Sequence, residues 1–252
     1  MTSAMLVDIG RCIGCETCTA ACTLNLGVPV EEERVLWTRI HSFEMGQFPG
    51  VSMFTVKRQC MHCEHPACVS ACPVGALQKT ANGPVVYDAH KCIGCRYCMT
   101  ACPFGVPKLN WDDLFPSIQK CTFCADRQAA GLEPACVSDC PSGALKFGER
   151  DALLLEARQR IQASSSRYVQ HIYGEHEVGG TSWLYISPVP FEELGFPTVG
   201  TEPVTKLSEQ VVSYVPYGIG GLAVVLSGLY WFFQRRERLQ KESAAHPEAK
   251  EG

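Results

Sequence analysis

Four cysteines lie within a short stretch near the start of the chain, at Cys12, Cys15, Cys18 and Cys22. Thiols this close together serve three chemistries: disulfide bonds, a zinc site or an iron–sulfur cluster. The chain has 16 cysteines in 252 residues, and none follows Cys140. Three further groups of four complete the count: Cys60, Cys63, Cys68 and Cys72; Cys92, Cys95, Cys98 and Cys102; and Cys121, Cys124, Cys136 and Cys140. The cysteine chemistry is therefore confined to the first 150 residues.

The four groups alternate between two patterns. The first and third share the spacing C-x2-C-x2-C-x3-C, in RCIGCETCTAAC and KCIGCRYCMTAC. The second and fourth end in similar words, CVSACPVGAL and CVSDCPSGAL. Self-similarity of this kind indicates an internal duplication, so the sequence predicts two copies of one structural unit.

An iron–sulfur cluster explains the spacing better than its two rivals. Cysteines two or three positions apart on a tight loop reach good disulfide geometry poorly, and zinc knuckles present cysteines in pairs. In the bacterial two-cluster pattern, three cysteines of a group bind one [4Fe–4S] cluster and the fourth, followed by proline, binds the other. Proline follows Cys72, Cys102 and Cys140, whereas Thr23 follows Cys22. Sixteen thiolates therefore predict four [4Fe–4S] clusters.

The chain resembles the four-cluster ferredoxin-like electron-transfer subunits of membrane-associated oxidoreductases. The resemblance is carried by KRQCMHCEHPACVSACPVGAL, HKCIGCRYCMTACPFGVPKLN and QKCTFCADRQAAGLEPACVSDCPSGALKFG. It implies a nested pairing of the groups, first with fourth and second with third, whereas spacing alone leaves a sequential pairing open. The implied sets are set 1, Cys12, Cys15, Cys18 and Cys140; set 2, Cys22, Cys121, Cys124 and Cys136; set 3, Cys60, Cys63, Cys68 and Cys102; and set 4, Cys72, Cys92, Cys95 and Cys98.

The relatives in this resemblance are the beta subunit of respiratory formate dehydrogenase, the ferredoxin-like subunit of membrane-bound nickel–iron hydrogenase and the iron–sulfur subunit of DMSO reductase. The resemblance implies a non-catalytic subunit that transfers electrons between two partners. One is a large catalytic subunit with a molybdenum- or tungsten-pterin or nickel–iron centre, and the other is a quinone-reactive integral membrane subunit. The alternatives are an iron–sulfur subunit of another molybdopterin reductase and a zinc-binding structural membrane protein. The net charge of -4 gives no reason to expect nucleic acid.

The predicted fold class is α+β, with duplicated two-cluster ferredoxin-like units in one body spanning 1–150. Alternating apolar and polar residues on either side of a Gly/Pro turn predict a β-hairpin insertion at about 34–58, either a partner surface or a lid. GPVVYD and ALKFG predict short strands. His62 and His65 lie beside cysteines that a cluster already uses, so a hydrogen-bonding or solvent role is favoured over metal or haem binding.

The last hundred residues contain no cysteine. The pattern predicts a helix at 151–162 capped by Asp151, within a segment 151–210 that is later rich in Gly and Pro and resembles a partner-contact region. Residues 211–233 lack charge and predict a transmembrane helix.

The basic and then polar tail at 234–252 places the C-terminus in the cytoplasm by the positive-inside rule, and the cluster domain on the periplasmic side of an inner membrane. Pro216 is expected to bend or begin the helix. The first residues lack the features of a secretory signal. We expect either a removed signal or export together with a partner.

Overall fold

The computed structural model describes residues 2–27, 36–109, 111 and 117–245. The chain divides into two units, Met1–Thr205 and Lys206–Gly252. The first unit mixes helices with strands, as predicted, and the described residues of the second form a single long helix. All sixteen cysteines lie in the first unit, and none forms a disulfide.

The described residues contain nine strands in four small sheets. They are β1 (Ser3–Asp8), β2 (Arg39–Met45), β3 (Ser52–Arg58), β4 (Leu77–Lys79), β5 (Val85–Tyr87), β6 (Lys108–Leu109), β7 (Ile118–Gln119), β8 (Leu145–Glu149) and β9 (Trp183–Ile186). The sheet order is β8-β1-β9, and β2 pairs with β3, β4 with β5 and β6 with β7. The strands predicted in GPVVYD and ALKFG are β5 and β8.

The seven α-helices among the described residues are mostly short. They are α1 (Thr17–Asn25), α2 (Ala67–Ser70), α3 (Tyr97–Ala101), α4 (Ala125–Ala129), α5 (Ala135–Ser138), α6 (Arg150–Ala163) and α7 (Lys206–Ala245). Helices α2, α3 and α5 end just before a Cys-Pro pair, because a residue that precedes proline avoids the helical conformation. Helix α1 instead continues past Cys22 to Asn25, because Thr23 lets the helical hydrogen bonds continue.

Strand β1 is buried on both faces, which explains its nearly unbroken apolar sequence. On one face, Ala4 and Leu6 pack with Leu153 and Ala157 of α6. On the other face, Met5 and Val7 belong to a second core cluster, in which the aromatic side chains of β9 also lie. Strand β1 pairs antiparallel with β8 and parallel with β9. The N-terminal strand therefore pairs both with the strand that precedes α6 and with the strand that follows it.

Helix α6 confirms the predicted helix but not its predicted cap. It begins at Arg150, with Glu149 as the N-cap residue and no side-chain hydrogen bond at the cap. The amide of Arg150 donates instead to the carbonyl of Thr2. Asp151 lies inside the first turn, where a negative charge favours the helix dipole. The cap prediction was wrong because β8 leads directly into the helix.

Strands β2 and β3 form an antiparallel pair within the stretch predicted as a hairpin, and residues 34–35 of that prediction lie outside the described residues. Thr55, Val56 and Lys57 in the inner half of β3 are buried. At the turn, by contrast, Phe48 is 92% exposed. The Thr55 hydroxyl donates to the carbonyl of Cys12 over 3.3 Å. The inner half of the pair therefore covers the first cysteine group, while its turn faces solvent.

Elements from the outer and inner cysteine groups pack in a nested way. Helix α1, which carries Cys18 and Cys22 of the first group, contacts α5, which carries Cys136 of the fourth. Helix α2 of the second group contacts α3 of the third. Strands β1 and β8 flank the outer pair, whereas β4 and β5 connect the inner pair. In both the outer and the inner pair of groups, a helix of one group therefore packs against a helix of the other.

Helix α7 contains one candidate membrane span among the described residues, Ser213–Glu242. Pro216 was expected either to bend the helix or to begin it. The helix begins ten residues earlier, at Lys206, so the second expectation was wrong. The helix also continues beyond 233 through the basic residues to Ala245. Residues 246–252 of the predicted tail lie outside the described residues.

Candidate metal centre

The structure brings together the four cysteines of set 1 and the four of set 4. One cavity is lined by Cys12, Cys15, Cys18 and Cys140. A second cavity is lined by Cys72, Cys92, Cys95 and Cys98. In each case three thiols come from one sequence group and the fourth comes from its nested partner group. Both cavities thus have the membership that the nested pairing predicts.

The cysteines of sets 2 and 3 are also mutual neighbours. Burial raises the pKa of Cys22 to about 11, and Cys124 and Cys136 add to the rise. Burial likewise raises the pKa of Cys63, and Cys60, Cys102 and Cys68 raise it further. The neighbours of Cys63 are all the other members of set 3. Cys124 and Cys136, beside Cys22, are the other members of set 2 except Cys121.

Cys121 has Cys22 among the groups that raise its pKa, after burial as the main cause. All four members of set 2 are therefore linked by proximity. Because a buried thiol resists ionisation, binding of a metal centre has to displace these protons.

Interactions between sets give them a linear order. Burial and then neighbouring thiols raise the pKa of Cys136, and Cys18 of set 1 is one of those thiols. Cys60 of set 3 acts in the same way on Cys121 of set 2. For Cys68 of set 3, burial raises the pKa to about 12, and Cys98 of set 4 contributes. The four sets therefore lie in the order 1, 2, 3, 4.

The residue before the second cysteine has a left-handed backbone in all four groups. It is Gly14 in the first group, His62 in the second, Gly94 in the third and Phe123 in the fourth, with φ between 47° and 69°. Such turns point successive amide N–H groups into one concavity, a feature of many iron–sulfur sites. The amide of Phe123 donates to the sulfur of Cys121 over 3.3 Å. The loops therefore offer donors to thiolates as well as the thiolates themselves.

The loops after Cys72-Pro73 and Cys102-Pro103 direct backbone amides at their cysteines. Around Cys72, burial raises the thiol pKa, but the backbone amides that follow outweigh it and leave the pKa lowered. One of them, the Ala76 amide, donates to the Cys72 sulfur over 3.2 Å. At Cys102 the amides of Val106, Phe104 and Gly105 oppose burial as well, but burial is the larger effect and leaves the thiol pKa raised. These amides favour the charged thiolate that a metal centre requires.

His62 is fully buried within the second group, and its ring accepts a hydrogen bond. The amide of Val85 donates to its Nδ1 atom over 2.8 Å, and the ring stacks on Phe123 with centroids 5.0 Å apart. Burial and the charges of Lys120 and Lys79 hold the imidazole pKa well below its usual value. His65 is exposed. A neutral His62 therefore supports the left-handed turn that it occupies.

The arrangement fits an iron–sulfur cluster better than a zinc ion. Within the described residues, no three His, Cys, Asp or Glu side chains converge as ligands of one metal ion would. Four thiolates bound to one zinc at about 2.3 Å must lie close together, whereas a [4Fe–4S] cluster spreads its thiolates over four irons. No group among the described residues meets the first condition.

Comparison with known proteins agrees with this geometry. Residues 51–150 match the family model described as a 4Fe-4S dicluster domain. The nitrate-inducible formate dehydrogenase iron–sulfur subunit of Escherichia coli K12 is 39% identical over 199 residues, which cover 73% of this chain and 67% of that protein. This chain belongs to the 4Fe-4S dicluster family of iron–sulfur subunits.

Two further relatives of this iron–sulfur subunit are similar over nearly its whole length. The hydrogenase-2 operon protein HybA of Escherichia coli O157:H7 is 31% identical over 278 residues, covering 93% of this chain and 84% of HybA. A protein of Nitratidesulfovibrio vulgaris Hildenborough is 39% identical over 258 residues, which cover 96% of this chain and 69% of that protein. The chain is an iron–sulfur electron-transfer subunit related to both formate dehydrogenase and hydrogenase-2 subunits.

The two CIGC loops of the iron–sulfur subunit differ in how much space surrounds the glycine. A Cβ added to Gly14 would lie 2.9 Å from Cγ2 of Thr55, whereas one added to Gly94 would meet nothing within 4 Å. Both residues have φ +69°, so alanine costs about 1–2 kcal/mol at either position. We expect Gly14→Ala to lower the midpoint of anaerobic thermal unfolding more than Gly94→Ala does. An equal or larger loss for Gly94→Ala would show that Thr55 moves aside freely.

Proposed function

We propose that this protein is a non-catalytic electron-transfer subunit that carries four [4Fe–4S] clusters, one at each cysteine set. The observation that carries the proposal is the row of four sets, each with its four cysteines as neighbours. When bound, the clusters supply one-electron transfer. Sixteen cysteines serve as ligands of four clusters, so no iron is left with an open position for a substrate.

The residues of the chain hold and order the four sites. The thiolates fix each site, and the left-handed turns and Cys-Pro loops direct amide donors at them. The duplicated architecture predicted from the sequence is supported by the paired helices, α1 with α5 and α2 with α3. Burial of set 2 and set 3 residues keeps water away from the middle of the row.

Sets 1 and 4 form the two ends of the row, and each lies near the surface. Ile13, in the first CIGC loop, is 66% exposed, and Ile93, in the second, is 65% exposed. Cys15 of set 1 is exposed as well. We infer that electrons enter at one end set and leave at the other. One proposed partner is a large catalytic subunit, because relatives of this chain are named as formate dehydrogenase and hydrogenase-2 proteins. The other proposed partner is a quinone-linked membrane subunit, as the family resemblance implies.

Helix α7 is proposed to anchor the subunit in the inner membrane. Arg235, Arg236 and Arg238 follow the apolar stretch, so the positive-inside rule places the C-terminus in the cytoplasm and the cluster domain in the periplasm. Small residues recur along α7 and allow a partner helix to approach closely; they are Ser213, Gly220, Ala223 and Ser227.

Metal analysis of the anaerobically purified protein tests the proposal. We expect about sixteen irons per chain with a matching amount of acid-labile sulfide. A colourless protein with about four zinc ions would contradict it and favour the structural alternative. The large subunit that copurifies then identifies the complex as a formate dehydrogenase, a hydrogenase or another molybdopterin reductase.

A further inference from the structure

We propose that Lys57 is a buried positive charge shared by sets 1 and 2, and that it raises the reduction potentials of the two clusters bound there. The inference rests on the proposed function, because it assumes clusters at both sets. It assigns a specific task to a residue that is not a ligand. Nothing in the cysteine spacing points to this residue.

The Lys57 side chain is held rigidly inside the protein. It belongs to β3 and is 3% exposed. Its Nζ atom donates to Oγ1 of Thr38 over 2.5 Å and to Oε1 of Gln59 over 3.3 Å. The same nitrogen lies 4.8 Å from the ring centroid of Trp183, which is fully buried. These contacts fix the position of the ammonium group.

The charge of Lys57 lacks a matching carboxylate in the described part of the chain. The ion pairs found there join other residues, and the polar partners of Lys57 are a hydroxyl and an amide. Burying a charge without an opposite charge is costly. An anionic group nearby would remove this cost, and the thiolates of the cysteine sets are such groups.

Lys57 lies beside both of the first two sets. It lines the same cavity as Cys12, Cys15, Cys18 and Cys140 of set 1. On the side of set 2, the Trp183 ring that Lys57 contacts lies 5.7 Å between centroids from the ring of Phe123, which directly precedes Cys124. In agreement with this position, the charge of Lys57 opposes the effect of burial on the thiol pKa of Cys22, Cys121 and Cys136. A single ammonium group therefore faces thiols from two neighbouring sets.

A fixed positive charge at this position favours reduction. A cluster held by four thiolates gains negative charge when it accepts an electron, and net charge and burial are among the factors that set its potential. Inside a protein this attraction is screened less than in water. Lys57 is therefore expected to stabilise the reduced state at sets 1 and 2.

Other lysines serve the next part of the row. The charge of Lys120 acts on Cys68 of set 3, and Nζ of Lys79 donates to the carbonyl of Cys63, also in set 3. The effect of Lys57 is accordingly expected to be confined to two of the four clusters. This restriction separates the proposal from a general effect of protein charge.

Redox titration of the purified complex, followed by electron paramagnetic resonance, tests the proposal with Lys57→Met. We expect two midpoint potentials to become more negative, each by about a tenfold change in the redox equilibrium constant, or about 59 mV for one electron. The other two are expected to stay unchanged. Lys57→Arg should retain the wild-type potentials, because it keeps the charge.

Lys91→Met is the matched control. It removes a lysine next to Cys92 of set 4, but that side chain is half exposed and pairs with Asp88 over 3.1 Å. Because solvent screens such a charge, we expect potentials close to those of the wild type. A shift as large as that of Lys57→Met would contradict the importance of burial and of the position between two sets.

The remaining outcomes separate this inference from the proposed function. Unchanged potentials in a fully loaded Lys57→Met complex, or an equal shift of all four, would overturn the inference alone. A wild-type protein without clusters would overturn the proposed function. If Lys57→Met loses iron, Lys57→Gln provides the same readout. If both neutral variants lose iron, retention of four clusters by Lys57→Arg supports the inference, and loss contradicts it.

Discussion

Replacing Cys22 and Cys121 together with alanine is expected to remove one cluster, whereas replacing Cys22 and Cys60 together is expected to remove two. Cys22 and Cys121 are neighbours within set 2, but Cys60 belongs to set 3. Loss of one ligand is enough to destabilise a cluster, so a second loss at the same cluster adds little. Iron analysis should give about twelve irons per chain for the first variant and about eight for the second.

The two variants are matched controls for each other, because each loses two cysteines and each includes Cys22. In a sequential pairing of the groups, Cys22 and Cys60 would serve one cluster, and the two iron contents would be exchanged. The single variant Cys22→Ala is expected to match the double variant of set 2. An exchange of the iron contents would show that the nested pairing is wrong and that the row of sets has a different membership.

The sequence predicts the short-range parts of this fold well. Strands β5 and β8 and helix α6 follow from local patterns, because turn residues and apolar periodicity act within a few positions. Strand β9 was not predicted, because it is a four-residue run in a Gly- and Pro-rich segment. Its parallel pairing with β1 depends on the burial of both strands in the finished core. The cap at Asp151 failed for a similar reason, since β8 joins α6 without a turn.

At the candidate site, too, the features that depend on neighbouring residues were predicted, and those that depend on the folded structure were not. Sequence spacing predicts the three cysteines of each set that come from one group, because their loop is short and local, whereas the fourth member of each set is implied only by the resemblance. The left-handed turns at His62 and Phe123 were missed, although Gly14 and Gly94 occupy the same place before the second cysteine. An internal alignment of the four groups could have exposed this signal. Lys57 had no local signal, because its position between two sets arises only when β3 packs against them.

A chain that ends at Thr205 is expected to leave the membrane fraction and to appear in the soluble fraction with its iron. The remaining unit, Met1–Thr205, contains all sixteen cysteines. The removed helix contains the candidate span Ser213–Glu242, which exceeds the roughly 20 residues needed to cross a bilayer. Ultracentrifugation of cells that express this subunit without its partners measures the distribution. Persistence of the shortened chain in the membrane fraction would show a second means of attachment.

Two arginine substitutions in α7 separate membrane insertion from a general effect of the truncation. Leu222 lies in the middle of the apolar stretch, and arginine at the centre of a membrane helix costs about 2.5–3.5 kcal/mol of insertion free energy. Gln234 precedes Arg235 and Arg236 at the basic end, where a further positive charge stays near water. Leu222→Arg is therefore expected to reduce the membrane-bound fraction strongly, and Gln234→Arg to leave it unchanged. Equal distributions for the two variants would mean that α7 binds a protein surface rather than the lipid interior.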